Sequence, residues 1–410
     1  MIELRSDAKY AMIIPTSMGT RLTPVNNQPF HSSNTFMMTG TSAESNVGSV
    51  SSFLGLPVKI LTAFVKDSPV ARFIKDDLAR RHMDYEGPEF EQETPWGVRH
   101  QINMADTGWG SRGPRVQNDR AGEVGRMLNI KDFDLDRIFG EEGGKIVHMS
   151  GLIAALSPDT SQFCLEVARA AKKHGSRISF DLNHRASFWR GREDELSAAF
   201  KEIASLSDIL IGNEEDFQLC LGIEGPEAGG KGIAAKIDGF KDMINRIKAE
   251  YSGASMFATT LREVESANRH MWGAIVCSGD DFHVVLPREI GVLDRIGGGD
   301  GFVGGMLYGV LKTGMPKNAL TSAGPLAHLP PRCSLITANP PTKNKYGASG
   351  KATLESNDNE KTSAGGSRTR YSVLKNYGAF FFSFRCKVRR GISNRLAASE
   401  MFPPESASTR

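Results

Sequence analysis

From Lys9 to about residue 320 the chain alternates between two hydrophobic periods, and this alternation limits its fold more than any other feature. Short, β-branched runs at 9–14, 58–65, 145–152, 177–183, 207–213, 254–260 and 272–277 read as strands. Between them, residues 68–82, 157–175, 193–207 and 235–251 repeat apolar positions at helical spacing. Ser157-Pro158 supplies a capping hydroxyl and a first-turn proline, and Gly175 supplies a stop. Strands and helices in alternation predict an α/β fold, with a mostly parallel sheet covered by helices on both faces. Residues 84–126, rich in Gly, Pro, Arg and Gln, break the pattern. Together with residues about 15–40 they are expected to form a small β lid over the sheet edge.

Composition narrows the function classes. Hydrophobic residues make up 40% and charged residues 24% of the 410, an ordinary globular balance. No apolar run reaches the 18 residues of a membrane span, so no membrane partner is expected. The opening MIELRSDAKYAM carries charge where a secretory signal needs apolar residues, which predicts a cytoplasmic protein. Five cysteines without CxxC spacing exclude a disulfide framework, and the scattered His31, His82, His100, His148 and His283 lack zinc-site spacing. Cys164 and Cys220 lie on apolar helix faces and read as core.

The net charge of +3 sums two unlike parts. Residues 324–410 hold 14 Lys and Arg against five Asp and Glu, so the preceding 323 residues carry −6. The texture changes at the same place. Pro325, Pro330, Pro331, Pro340 and Pro341 break any helix, and a polar tract follows over 342–370. The tail has no ordered face of basic and aromatic residues, so no nucleic-acid partner is expected.

Chemistry concentrates in VLDRIGGGDGFVGGMLYGVL, residues 292–311. Three glycines follow an apolar segment and open a helix that runs through Leu311. Glycine lets the backbone turn sharply and lets its N–H groups approach an anion, while the helix N-terminus adds unpaired donors and a favourable dipole. Asp300 stands at that anion site, where a carboxylate needs a reason to be. General-base chemistry on an attacking hydroxyl is one; an N-cap in a glycine turn is the plainer alternative. Gly225-Pro226-Glu227-Ala228-Gly229-Gly230-Lys231-Gly232 has phosphate-loop spacing. It lacks the following Ser or Thr and follows a helix, and so reads as a surface loop.

Asp294-x-x-Gly297-Gly298-Gly299-Asp300 resembles the C-terminal signature of the ribokinase/PfkB-like carbohydrate kinases, with Gly298 in place of the usual Ala. Phe180-Asp181-Leu182-Asn183-His184-Arg185 with Phe188-Trp189 resembles a segment of 2-keto-3-deoxygluconate kinases. Asn213-Glu214-Glu215-Asp216 is similar to the family's NxxE, with Asp216 for Glu. Thr41-Ser42-Ala43-Glu44-Ser45-Asn46-Val47 is similar to its sugar-binding turn, with Thr-Ser for a Gly pair, and Val116–Gly122 to its lid segment. The resemblance covers about residues 9–323. It implies a ribokinase-like, Rossmann-type kinase domain over 1–323, ATP and Mg2+ as cofactors, and a possible homodimer through the lid.

The resemblance assigns Asp300 as base. Gly297, Gly298, Gly299, Asp294 and Asn213 become the anion hole and ATP site, and Asp216 the magnesium residue. Asn46, Arg120, Arg185 and Asp181 become the sugar-acid site. Arg120 and Arg185 also suit a substrate carboxylate on chemical grounds, because a guanidinium matches it bidentately. The resulting expectation is ATP-dependent phosphorylation of 2-keto-3-deoxygluconate at its 6-hydroxyl. The rivals are a kinase for a neutral sugar such as fructose and a non-catalytic or unstable product. The family resemblance implies a small-residue helix after residue 320, reading Ala-Thr-Gly-Ala-Leu-Ala. A shifted reading frame from Gly324 to Thr337 permits those residues. Residues 324–410 are therefore expected to be an aberrant, disordered tail that follows a frame slip between about Ala319 and Gly324.

Overall fold

The computed structural model describes residues 2–227 and 232–314, all within the unit Met1–Gly350. The expected tail, the frame slip and Ala228–Lys231 of the phosphate-loop look-alike lie outside the described residues. The chain opens with β1 (Tyr10–Pro15), β2 (Gly19–Pro24), β3 (Phe36–Thr41) and α1 (Ala43–Phe53). Next come β4 (Val58–Leu61), β5 (Phe64–Val65), α2 (Pro69–Arg80), β6 (Met83–Glu86), β7 (Glu89–Phe90), β8 (Ile102–Asp106) and β9 (Arg115–Asp119). The middle holds β10 (Gly144–Ser150), α3 (Gly151–Ala154), α4 (Pro158–Lys173), β11 (Arg177–Asp181), α5 (Ala186–Trp189), α6 (Glu193–Leu206), β12 (Ile209–Ile211) and α7 (Glu214–Asp216). The last described elements are α8 (Ile237–Glu250), β13 (Met256–Ser266), β14 (Arg269–Ser278), β15 (Asp281–Gly291) and α9 (Gly298–Thr313).

Among the described residues, nine strands form one sheet in the order β15-β14-β13-β12-β11-β10-β1-β4-β6. Pairing is parallel from β13 through β6 and antiparallel across β13, β14 and β15. The α/β, mostly parallel architecture therefore holds. Each face of the sheet is covered by its own buried cluster. One includes Val147, Phe180, Phe200 and Phe257, the other Met12, Ile60, Ile209 and Met306. Fully buried parallel strands need apolar residues on both faces, which explains runs such as Ile209–Ile211.

Capping follows the sequence chemistry. Ser157 accepts from the Thr160 N–H and Thr160 reciprocates, with Pro158 in the first turn; Gly175, at φ 80°, follows the helix end. The β lid is a second sheet, β3-β2-β8-β9, and both segments expected in it contribute.

Several boundaries differ from the sequence reading. The run 58–65 splits, since Thr62-Ala63 separates β4 from β5. The run 145–152 stops at Ser150, whose hydroxyl caps α3 by accepting from the Leu152 N–H. Residues 42–47 form a helix start rather than a turn, with Ser42 as N-cap of α1. β13 continues six residues past Thr260, and β15 is an additional strand.

Candidate active site

The C-terminal ends of the parallel strands meet the lid over a cavity of about 1430 Å3. Asp181 ends β11, and Asn213–Asp216 follows β12. β13 pairs with β12 only over Met256–Ala258, so its remainder projects beyond the parallel sheet along the cavity wall. Gln101, Asn103 and Asn118 of the lid segment line the same space, as do Gly297, Gly299 and Asp300. In open α/β sheets this crevice is where ligands bind.

The glycine turn is built as its residues require. Gly297 is the N-cap of α9 with φ 84°, a left-handed conformation that costs glycine little. The Gly301 N–H closes the first turn on the Gly297 carbonyl at 2.9 Å. The amides of Gly299 and Asp300 therefore fall among the donors for which a helix has no internal acceptor. Asp300 sits in this first turn, and its Oδ2 accepts from Asn46 Nδ2 at 2.8 Å.

That hydrogen bond depends on a close helix crossing. A Cβ on Gly304, one turn beyond Asp300, would meet the Val47 carbonyl oxygen and Val50 Cγ2 at 2.7 Å each. On the far side of α1, a Cβ on Gly48 would meet Ile14 Cδ1 at 2.6 Å. Glycines thus press α9 onto α1 and α1 onto the sheet, which brings Asn46 to Asp300.

A buried acidic wall lies beside this pair. Burial, then the neighbouring Asp216 and Asp300 carboxylates, raises Asp181 well above the usual carboxylate range. Burial also raises Asp216, against two amide hydrogen bonds that lower it. Glu44 is fully buried in the first turn of α1. Thr16 Oγ1 donates to it at 2.6 Å, Ser150 Oγ donates to its other oxygen, and burial raises its pKa.

Four expected site residues have other partners. Asp294 pairs with Arg21 of the lid strand β2 at 2.8 Å and also accepts from the Ile296 N–H, so it ties the lid to the glycine turn; it does not line the cavity. Arg120 donates to both oxygens of buried Glu123, at 2.7 and 2.9 Å, and lies over the Phe188 ring at 5.2 Å. Its charge is therefore already countered, although it lines the cavity. Asp216 shares a capping box with Asn213: its Oδ2 accepts from the Asn213 N–H, and Oδ1 accepts from the His184 N–H, each at 2.9 Å. Asn213 Oδ1 accepts in return from the Asp216 N–H at 2.8 Å. Among the described residues, no group of three or more His, Cys, Asp or Glu is arranged to hold a metal ion. Arg185 is exposed in the cavity, with one hydrogen bond to the His184 carbonyl.

The sequence reading missed Glu44, Arg262 and Arg295. An acid two residues past the Ser42 cap marks Glu44, because acids favour a first helical turn. The β-branched Thr259, Thr260 and Val264 mark the longer β13 and place Arg262 on it.

Residues 141–330 match the model of the pfkB family carbohydrate kinases. The chain carries a pfkB family carbohydrate kinase domain. A 5-dehydro-2-deoxygluconokinase of Clostridium perfringens is 25% identical over 193 residues, 47% of this chain and 50% of that protein. The chain spans about half the length of the first curated relatives it matches. The crystal structure of 2-dehydro-3-deoxygluconokinase from Thermotoga maritima superposes with a TM-score of 0.69 at 24% identity, covering 78% of this chain and 92% of that one. An uncharacterized sugar kinase from Pyrococcus horikoshii, solved in complex with ATP, gives 0.59 at 20% identity, covering 78% and 91%. The pfkB domain thus has the ribokinase-like fold of these structures. Among its described residues no helix is long and apolar enough to cross a membrane.

Proposed function

We propose that the chain transfers a phosphoryl group from ATP to the 6-hydroxyl of 2-keto-3-deoxygluconate. One observation carries this reading: the Asn46–Asp300 hydrogen bond holds a carboxylate in the first turn of α9, within a cavity large enough for two substrates. A base in that place takes the proton from the attacking hydroxyl, while the helix-end amides and dipole stabilise charge on the transferring phosphoryl group. Asn213, Gly297, Gly298 and Gly299 stand on the phosphate side in this reading.

Asp181, whose charged form is disfavoured first by burial and then by Asp216 and Asp300, stands on the sugar side in this reading. Arg185 carries the charge facing the substrate carboxylate, and Arg120, already paired, has a lesser part. The C. perfringens and T. maritima relatives are both named as kinases of keto-deoxygluconic acids, which supports a sugar acid over a neutral sugar.

Mg2+ is commonly held by one or two carboxylates together with phosphate oxygens and water. Asp216 fits that style, since each carboxylate oxygen accepts one amide and has lone-pair capacity left. When bound, the ion would screen the phosphate charge.

The proposal extends to a cytoplasmic kinase unit over 1–323, pairing through its lid, with 324–410 outside it. Sequencing the gene across codons 319–324 tests that boundary; an unbroken frame removes the slip. The activity is tested by ADP release with a panel of sugar acids and fructose, with Asp300→Ala as control. A sugar acid should be the best substrate, and its advantage should vanish in Arg185→Ala. Fructose as the better substrate would overturn the assignment.

A further inference from the structure

Two arginines that the reading above leaves unused stand on the cavity wall. Arg262 lies on the projecting part of β13, and Arg295 two residues before the Gly297 cap; both line the cavity with Gly297 and Gly299. Strand register sets Arg262 opposite Trp272, whose ring lies 5.9 Å from the guanidinium, so an aromatic face holds this charge in place. Among the described residues neither arginine has an ion-pair partner, unlike Arg120 or Arg21. Arg262 is exposed on the cavity wall, where the charge of Arg295 acts against its own and Glu214 and Asp216 act in its favour. Two cations that repel each other across a cavity are stabilised by an anion between them.

We propose that Arg262 and Arg295 form a grip for the phosphate chain of a nucleoside triphosphate, facing the amides at the N-terminus of α9. The ligand class follows from charge and place. A substrate carboxylate brings a single charge, whereas two guanidinium groups beside a helix N-terminus match a chain of several charged phosphates. The grip rests on the kinase reading only for the identity of the nucleotide.

Calorimetric titration with ATP, and separately with inorganic tripolyphosphate, tests the grip in the full chain and in Arg262→Ala, Arg295→Ala and Arg262→Lys. Losing one charge-assisted contact should weaken both ligands by roughly tenfold to a hundredfold. Arg262→Lys should recover part of the loss, and the salt dependence of tripolyphosphate binding should become shallower in each alanine variant. The KM for the sugar acid should stay within about twofold. Should Arg262→Ala unfold, Arg295→Ala carries the test, because Arg295 lies off the sheet.

Unchanged ATP and tripolyphosphate affinities in the folded variants would overturn the grip, as would a loss confined to the sugar acid. The two readings fail separately. Phosphorylation with an unaltered nucleotide KM in the variants removes only the grip. Arginine-dependent tripolyphosphate binding in a chain that phosphorylates no sugar removes only the kinase reading.

Discussion

Gly304→Ala tests how the fold sets the catalytic geometry, because it adds a single methyl group at a residue that does not line the cavity. The new Cβ would lie 2.7 Å from both the Val47 carbonyl oxygen and Val50 Cγ2, whereas ordinary contact begins at 3.4 Å. Helix backbone blocks one side of this contact, so α1 and α9 must separate by about 0.7 Å. Carried to Asn46, the same displacement takes the 2.8 Å bond to Asp300 out to about 3.5 Å, the outer edge of hydrogen bonding. Overpacking of this kind typically costs about 1–3 kcal/mol of stability. Loss of a hydrogen bond to a charged group adds about 1.5–3 kcal/mol, here felt by the base rather than by the fold. The expected outcome is a melting temperature lowered by several degrees and an ADP-release kcat lowered roughly tenfold to a hundredfold, with the KM for ATP little changed. Asn46→Ala should lower kcat by a similar factor, and the double variant should be no worse than the single ones, since both remove one interaction. Additive losses in kcat, or a destabilised Gly304→Ala with full kcat, would refute the link between helix packing and Asp300.

Asp300→Asn should retain ATP binding by calorimetry while ADP release falls ~100- to 10,000-fold, the usual contribution of a positioned base. Asp181→Asn bears on pH. A carboxyl raised by burial and by Asp216 and Asp300 contributes stability below its unfolded pKa of about 3.9 and loses that contribution as pH rises through the folded value. Asp181→Asn should therefore raise the melting temperature at pH 8, by an amount that shrinks toward pH 4; a gain that grows on acidification would reverse the sign. Arg120→Ala strands the buried Glu123 carboxylate and should destabilise the chain by about 3–5 kcal/mol in denaturant unfolding, with much of the loss recovered in Arg120→Ala/Glu123→Gln. Equal stability of the single and double variants would show that the pair carries no such load.

The parallel sheet was legible because β-branched runs and helical spacing describe burial directly, and the glycine turn because few residues tolerate φ 84°. α1 was not, and its composition explains why. Ala43–Phe53 contains four serines and is buried almost throughout, so no apolar stripe marks it. Two of its serines bond back to the preceding turn: Ser45 Oγ donates to the Ser42 carbonyl at 3.2 Å and Ser49 Oγ to the Ser45 carbonyl at 2.7 Å. β15 was hidden by Pro287 and its charged neighbours. The strand is the sheet edge, and its pairing shifts register between Trp272 and Ala274, near where a Cβ on Gly273 would meet Pro287 N at 2.8 Å. Edge strands and irregular pairings are where proline is tolerated. The site residues were found by type, but their partners depend on tertiary placement. Arg120–Glu123 is readable as an i,i+3 spacing, whereas Arg21–Asp294 joins positions 273 residues apart through the lid.

These partners give the cavity an electrostatic logic that the sequence assignments lacked. Asp216 and Asp300 raise the energy of the charged form of Asp181, and Arg295 and Arg185 do the same to Arg262 on the opposite sign. The two sets meet through Arg185, whose charge lowers Asp181 and Asp216, and through Arg262, which Glu214 and Asp216 raise. A phosphate chain relieves the cationic set, and a divalent cation relieves the acidic one. Ligands that bind only the folded state stabilise it by an amount that grows with the logarithm of concentration over Kd. Tripolyphosphate alone should therefore raise the melting temperature, and Mg2+ should add to the rise. The increment from tripolyphosphate should vanish in Arg262→Ala/Arg295→Ala, because those two charges are its source.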